Sequence, residues 1–237
     1  MARGTARPLV ELVTDMFPGI DVESAITGGS VLVDGRIVQN LRSSVQRGAS
    51  VTYRPSLSLR GENKLGAALD KFDVSISGRV ALDVGAAAGG FTRVLLDAGA
   101  QKVYAVDAGF GQLVGSLRQD PRVVNLESTN IGELNRSMVP EHVAVISIDV
   151  TRLSLANCAP QLEAIDIADH ADLLALVKPQ FELRCANTPT LESDLSEALS
   201  LAVTGIEAAP WRVIDTMRSP VTGARGAIEF LVHARRR

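Results

Sequence analysis

The stretch from Val80 to Thr92, Val-Ala-Leu-Asp-Val-Gly-Ala-Ala-Ala-Gly-Gly-Phe-Thr, constrains this chain more than any other. Mostly apolar residues including two valines read as a buried strand, and Gly85 opens a tight turn. Phe91, Val94 and Leu95 then give the segment from Gly89 to Asp97 an apolar face at helical spacing. A strand, a glycine loop and a helix start follow one another without a gap. Such a turn lets a ligand lie against bare backbone, because glycine has no Cβ and the first helical N–H groups are unpaired donors. The spacing is G-x-x-x-G-G, not the G-x-G-x-x-G of dinucleotide folds, and Asp83 stands two residues before the first glycine, where a cationic or hydroxyl-bearing ligand is met. The loop reads as an S-adenosylmethionine site, ahead of a purely structural turn or a nicotinamide site.

Beyond this loop, Lys102 to Val106, Val123 to Leu126, Val143 to Ile148, Ala171 to Val177, Trp211 to Thr216 and Ala227 to His233 are predicted strands. Strands separated by helices imply an α/β fold whose mostly parallel sheet is covered on both faces, with a late antiparallel strand. Residues 1–56 read as a separate small α+β unit. It has helical spacing from Pro8 to Met16, a short helix from Val22 to Thr27, a hairpin from Ser30 to Val38 turning on Asp34-Gly35, and a last strand from Val51 to Tyr53. Residues 57–63 read as a linker and 64–237 as the main domain, whose first helix runs to Phe72 with Lys64 at its start.

A chain of 237 residues, 46% hydrophobic, can bury a full core. No apolar run approaches the roughly 20 residues needed to span a bilayer, and no signal-peptide pattern follows Met1, so the expectation is a cytoplasmic protein with no membrane partner. Cys158 and Cys185 form no C-x-x-C and the three histidines are scattered, so no metal is expected. A formal charge of −3 gives no whole-protein signal for nucleic acid, although residues 1–60 hold seven arginines against five acids. Of the 24 basic residues only Lys64, Lys71, Lys102 and Lys178 are lysine. Arginine keeps its proton near neutral pH, whereas a lysine set beside another cation can lose it, so these four are worth locating. Lys71 and Lys102 are expected to be incidental.

Ligands of parallel sheets gather at the carboxyl ends of the strands. The second strand of the main domain ends in Asp107, placed to accept both hydroxyls of a cofactor ribose, and the third leads to Asn130, beside an adenine or in a simple turn. The next two end in Asp149 and Lys178, which puts a carboxylate and a rare lysine over a transferable methyl group. The expected cofactor contacts are Asp83, Gly85, Ala87, Gly89, Gly90, Phe91, Asp107, Asn130 and Asp149. Glu229 lies in an apolar strand, where a charge is paired or functional.

Two resemblances follow. The helix pair and the hairpin Val31-Leu32-Val33-Asp34-Gly35 resemble the S-four-type RNA-binding module, although Glu23-Ser24-Ala25 replaces the usual serine-arginine pair. Arg60-Gly61 with Lys64-Leu65, Leu82-Asp83-Val84-Gly85 with Gly89-Gly90-Phe91-Thr92, Val106-Asp107, Ile148-Asp149-Val150, Val177-Lys178-Pro179-Gln180-Phe181-Glu182, Ser219-Pro220 and Glu229-Phe230-Leu231 look like the TlyA family. That family joins an S-four-type module to an FtsJ-like (RrmJ-type) domain and is often labelled haemolysin. The resemblance implies a class I S-adenosylmethionine-dependent methyltransferase fold, Rossmann-like with a seven-stranded sheet. It implies ribose 2′-O-methylation of ribosomal RNA, at cytidine, with ribosomal RNA or subunits as partners. It also implies a Lys-Asp-Lys-Glu catalytic set, falling on Lys64, Asp149, Lys178 and Glu229. In that set Lys178 is the expected base toward the ribose hydroxyl, Lys64 the cation that favours loss of its proton, and Asp149 and Glu229 the carboxylates that orient the amines. No segment has the strongly amphipathic basic pattern of a membrane-lysing protein.

The chain departs from the family in two places. Ala87 and Ala88 replace hydroxyl residues in the loop, and a basic, glycine-rich segment after Glu182 gives way to Arg184-Cys185-Ala186-Asn187-Thr188-Pro189 and an acidic run. The alternative is therefore a non-catalytic or substrate-shifted, ribosome-associated member that still binds S-adenosylmethionine. A homodimer is left open.

Overall fold

The computed structural model describes residues 6–27, 29–53 and 60–237. The chain divides into two compact units, residues 1–58 with 113–120, and residues 59–112 with 121–237.

In the first unit, strand β1 (Arg7–Pro8) leads into helices α1 (Leu9–Met16) and α2 (Val22–Thr27) and strands β2 (Val31–Val33), β3 (Arg36–Ile37), β4 (Ser44–Val45) and β5 (Val51–Tyr53). β2 pairs antiparallel with β3 and β5, and β1 with β4. The β2–β3 hairpin turns through Asp34 and Gly35, both at positive φ (48° and 77°), as a two-residue Asp-Gly turn requires. Leu9 and Val13 of α1, Ala25 and Ile26 of α2, Val31 and Val45 form its core.

The second unit holds α3 (Arg60–Phe72), β6 (Val80–Val84), α4 (Gly90–Asp97) and β7 (Lys102–Asp107). The short helix α5 (Gly115–Arg118) follows in sequence but clusters with the first unit, where the Gly115 N–H donates to Gln39 Oε1 at 3.3 Å. The second unit resumes with β8 (Val123–Glu127), β9 (Val143–Ile148), α6 (Leu155–Cys158), β10 (Ile167–Val177), α7 (Pro179–Glu182), α8 (Glu192–Glu207), β11 (Trp211–Arg218) and β12 (Phe230–Arg236). Its strands form one sheet in the order β11-β12-β10-β9-β6-β7-β8. β12 runs antiparallel to β10 and β11, and the other neighbours are parallel. The chain winds outward from β6 in one direction through β7 and β8, and in the other through β9 and β10. The carboxyl ends of β6 and β9 therefore flank the crevice where such sheets bind ligands. Leu82, Ile146, Ile148, Leu173 and Val232 belong to the core that fixes these strands.

Asp172, in the middle of β10, is 4% exposed and ties the sheet together. It accepts hydrogen bonds from Arg79 at 2.7 Å and Arg235 at 3.1 Å, and lies 2.8 Å from His233 Nε2. Burial pushes its pKa up, but the bonds to His233, Arg79 and Arg235 outweigh that and hold it at about 2.

Several boundaries differ from the sequence expectation. α3 already runs from Arg60, so residues 60–63 are its first turn rather than linker and Lys64 lies inside the helix, while residues 57–59 lie outside the described residues. β10 starts at Ile167, ahead of the expected Ala171, and passes a register shift near His170, which sits at φ 60°. β12 begins at Phe230, so Glu229 precedes the strand. Lys71 pairs with Asp215 at 3.2 Å and Lys102 with Glu141. No helix among the described residues is long and apolar enough to cross a membrane.

Candidate active site

The glycine loop is held by both neighbouring strands. After β6 the N–H groups of Gly85 and Ala86 donate to the Val106 carbonyl at 2.8 and 3.0 Å, and the Asp149 N–H donates to Val84 at 2.9 Å. Gly85 sits at φ 87°, and a Cβ there would be driven into the Asp149 carbonyl, so only glycine lets the loop pass. Ala87 at φ 45° carries its N–H onto Asp107 Oδ2 at 2.8 Å. The loop thus closes on β7 through its backbone, with no need of the hydroxyls that Ala87 and Ala88 lack. Gly89, at φ 98°, caps α4.

A cavity of about 470 Å³ opens beside this loop, and Gly85, Ala87, Asp107, Asn130 and Asp149 line it. A second, of about 270 Å³, shares Gly85, Ala87 and Asp149 and adds Gly61, Gly90 and Phe91. Asp107 takes one backbone N–H on each oxygen, from Gly109 at 2.7 Å and Ala87 at 2.8 Å. That fixes the carboxylate and leaves a lone pair on each oxygen for a diol. Asn130 is set by Glu133, whose Oε2 accepts its backbone N–H at 2.7 Å.

Asp83 is placed differently from the sequence expectation. It is 0% exposed and lies behind the loop, accepting hydrogen bonds from Thr92 at 2.6 Å and Ser147 at 2.8 Å. Burial raises its pKa to about 6, against the pull of those two hydroxyls and with some help from the Asp149 charge. Asp83 therefore joins α4 and β9 to β6 rather than lining the cavity. Its position two residues before the glycine did not reveal this, because the strand is buried on both faces: the preceding residue, Leu82, is as buried as Asp83.

The four residues of the implied catalytic set form two ion pairs. Lys178, between β10 and α7, brings Nζ to 2.5 Å from Asp149 Oδ1. Oδ1 is buried and takes no aligned hydrogen bond, so the contact is ionic. Lys64 Nζ lies 2.5 Å from Glu229 Oε2, and both side chains are buried. Gly223 covers that pair, since a Cβ would overlap the Glu229 carboxylate. Lys64, Lys178 and Glu229 line a third cavity of about 210 Å³ with Thr151 and Phe181. Asp149 faces the two loop cavities and Lys178 faces this one, so their ion pair joins the walls of a cofactor-sized space and an acceptor-sized space.

Sequence reasoning missed two contributors. Gly61, read as linker, packs α3 against the loop, where a Cβ would come within 3.1 Å of Phe91 and 3.3 Å of Gly90 Cα. Glu182, at 8% exposure, accepts the Leu155 N–H at 2.9 Å and so fixes the start of α6, just beyond the Thr151 wall. Burial lifts its pKa to about 7, with the Leu155 bond opposing. Its only signal was a carboxylate closing the Lys-Pro-Gln-Phe-Glu run.

The family model of FtsJ-like methyltransferases matches residues 58–236. The 16S/23S rRNA (cytidine-2′-O)-methyltransferase TlyA of Mycobacterium tuberculosis is 39% identical over 184 residues, covering 74% of this chain and 67% of that one. A solved structure labelled a hemolysin, from Streptococcus thermophilus, superposes with a TM-score of 0.72 at 29% identity, over 99% of this chain and 90% of that one. An S-adenosylmethionine-dependent methyltransferase from Mesorhizobium loti shares the fold, with a TM-score of 0.54 at 13% identity over 72% of this chain and 96% of that one. This chain belongs to the FtsJ-like methyltransferase family and, within it, to the relatives of TlyA.

Proposed function

We propose that this chain transfers a methyl group from S-adenosylmethionine to a ribose 2′-hydroxyl of ribosomal RNA, at cytidine, with Lys64, Asp149, Lys178 and Glu229 as its catalytic set. The observation that carries the reading is the Lys178–Asp149 ion pair at 2.5 Å between the cofactor-sized and acceptor-sized cavities. The residues present suit S-adenosylmethionine: Gly85 and Ala87 of the loop line the cavity that would take its amino-acid end, and Asp107 has lone pairs for the ribose hydroxyls. When bound, that cofactor supplies an electrophilic sulfonium methyl.

The rest is the work of this chain's own side chains. Asp149 holds Lys178 where the 2′-hydroxyl would arrive, and Lys178 is the group placed to accept the hydroxyl proton as that oxygen attacks the methyl that a bound S-adenosylmethionine would supply. Glu229 holds Lys64 in the acceptor wall, where a fixed cation stabilises the developing alkoxide. The hairpin and helices of the first unit support reading it as an S-four-type grip on RNA, and such an enzyme works on ribosomes in the cytoplasm.

Purified protein with tritiated S-adenosylmethionine and unmodified ribosomal subunits tests the reading. Transfer to a ribose 2′-oxygen leaves label in alkali-resistant dinucleotides, because alkaline cleavage needs the free hydroxyl. Label there, absent with Lys178→Ala, is the expected result. Cofactor binding without transfer to either subunit or to free RNA would instead favour the non-catalytic member.

A further inference from the structure

Three arginines on the segments that build the acceptor cavity have a backbone conformation that arginine rarely adopts. Arg152, Arg184 and Arg225 have φ of 68°, 53° and 56°, in the left-handed region where glycine or asparagine is the ordinary choice. Each belongs to a segment that builds the cavity. Arg152 follows Thr151, Arg225 lies between Ala224 and Ala227, and Arg184 comes just after Phe181 and just before Thr188 and Pro189. All three are exposed, and none has an ion-pair or hydrogen-bond partner among the described residues. Several other arginines of the same unit are engaged, Arg79 and Arg235 by Asp172, Arg93 by Glu62 and Arg236 by Glu163.

Unpartnered cations on disfavoured backbone, carried by three of the segments that build one cavity in a chain of net charge −3, call for a ligand. We infer that Arg152, Arg184 and Arg225 form a basic rim that binds the phosphates flanking the nucleotide held in the acceptor cavity. The carboxylate that lines the cavity, Glu229, is already engaged by Lys64, and Asp149 beside it by Lys178, so neither is left to neutralise the rim. The guanidinium fork matches a phosphate, and one phosphate lies on each side of any nucleotide in a strand. The rim also replaces the basic segment that this chain lacks after Glu182, one arginine coming from each of three loops. This inference rests on the RNA reading of the site.

Left-handed backbone makes the test clean, because replacing these arginines by glycine removes charge while relieving the conformation. The triple variant Arg152→Gly, Arg184→Gly, Arg225→Gly is compared with the unmodified full chain for binding to in-vitro transcribed 16S and 23S ribosomal RNA across a salt series. Each phosphate contact contributes about 0.7 to the slope of log affinity against log salt on single strands, so the slope should become shallower by about 2. Each single glycine variant should lose about a third of that, and the triple arginine-to-lysine variant should retain most of the slope. The melting temperature should not fall, and S-adenosylmethionine affinity of the Arg184→Gly and Arg225→Gly variants should stay within about twofold, since neither residue lies in a segment that lines the larger cofactor cavity. An unchanged slope in a glycine variant that binds RNA would overturn the rim alone. No RNA binding by the unmodified chain would overturn the RNA reading together with the rim.

Discussion

Gly85→Ala tests whether the cofactor loop and the Asp149 strand end are one mechanical unit. Gly85 is at φ 87°, which costs an alanine about 1 kcal/mol, and the new methyl meets the carbonyl of Asp149. The carbonyl cannot yield freely, since the Asp149 N–H is bonded to Val84 and its side chain is paired with Lys178. Forcing a methyl into such a packed contact costs about 2 kcal/mol more, giving a total of about 3 kcal/mol. For a domain of this size that is a fall of about 6–12 °C in Tm. The same displacement moves Asp149 and the lysine it holds, and misplacement by about 1 Å costs on the order of 100-fold in transfer rate. Gly66→Ala is the matched control: Gly66 lies within α3 with open space around its Cα, so alanine should stabilise by about 0.5–1 kcal/mol. Thermal melts and single-turnover methyl transfer are measured on both variants. A Gly85→Ala protein with unchanged Tm and full transfer would refute the argument that Gly85 is required by its contact with Asp149.

Two further predictions concern carboxylates. Because burial raises Glu182 to about 7 from 4.5, the unfolded chain ionises first as pH rises, and the protein loses stability through that interval. Glu182→Gln, which still accepts the Leu155 N–H, should match the parent in melts at pH 4 and exceed it by about 3 kcal/mol at pH 8, whereas parallel curves would refute the assignment. Asp107→Ala removes charge-assisted hydrogen bonds worth about 1.5–3 kcal/mol, so calorimetry should find S-adenosylmethionine bound about 10–100-fold more weakly, and unchanged affinity would remove Asp107 from the cofactor site.

Much of the site was legible because a parallel sheet converts sequence into position. An apolar run followed by a polar residue marks a carboxyl strand end, and so Asp107, Asp149 and Lys178 could be placed at one edge before any coordinates. The glycine spacing likewise gave the loop and α4. What the pattern could not show was partnership over long sequence distances. Asp83 looked like a ligand contact until Ser147 and Thr92 were found on its two oxygens. Lys64 and Glu229 meet across 165 residues, one inside a helix whose first turn carries linker-like residues, the other in a stretch whose apolar neighbours suggested a strand. The segment Leu113–Asp120 has nothing in its own composition to show that it clusters with the first unit. The left-handed arginines were invisible for the same reason, since φ at those loops is set by tertiary context.

The central claim, that Lys178 receives the ribose proton beside Asp149, is tested most directly by single-turnover transfer with Lys178→Arg, alongside a measurement of cofactor affinity. Arginine keeps the positive charge opposite Asp149 but cannot act as a base near neutral pH. The account predicts a transfer rate lower by about 10²–10⁴-fold with S-adenosylmethionine affinity within about twofold of the parent. Transfer at near the parent rate would contradict it, and would leave Lys178 as an electrostatic group only.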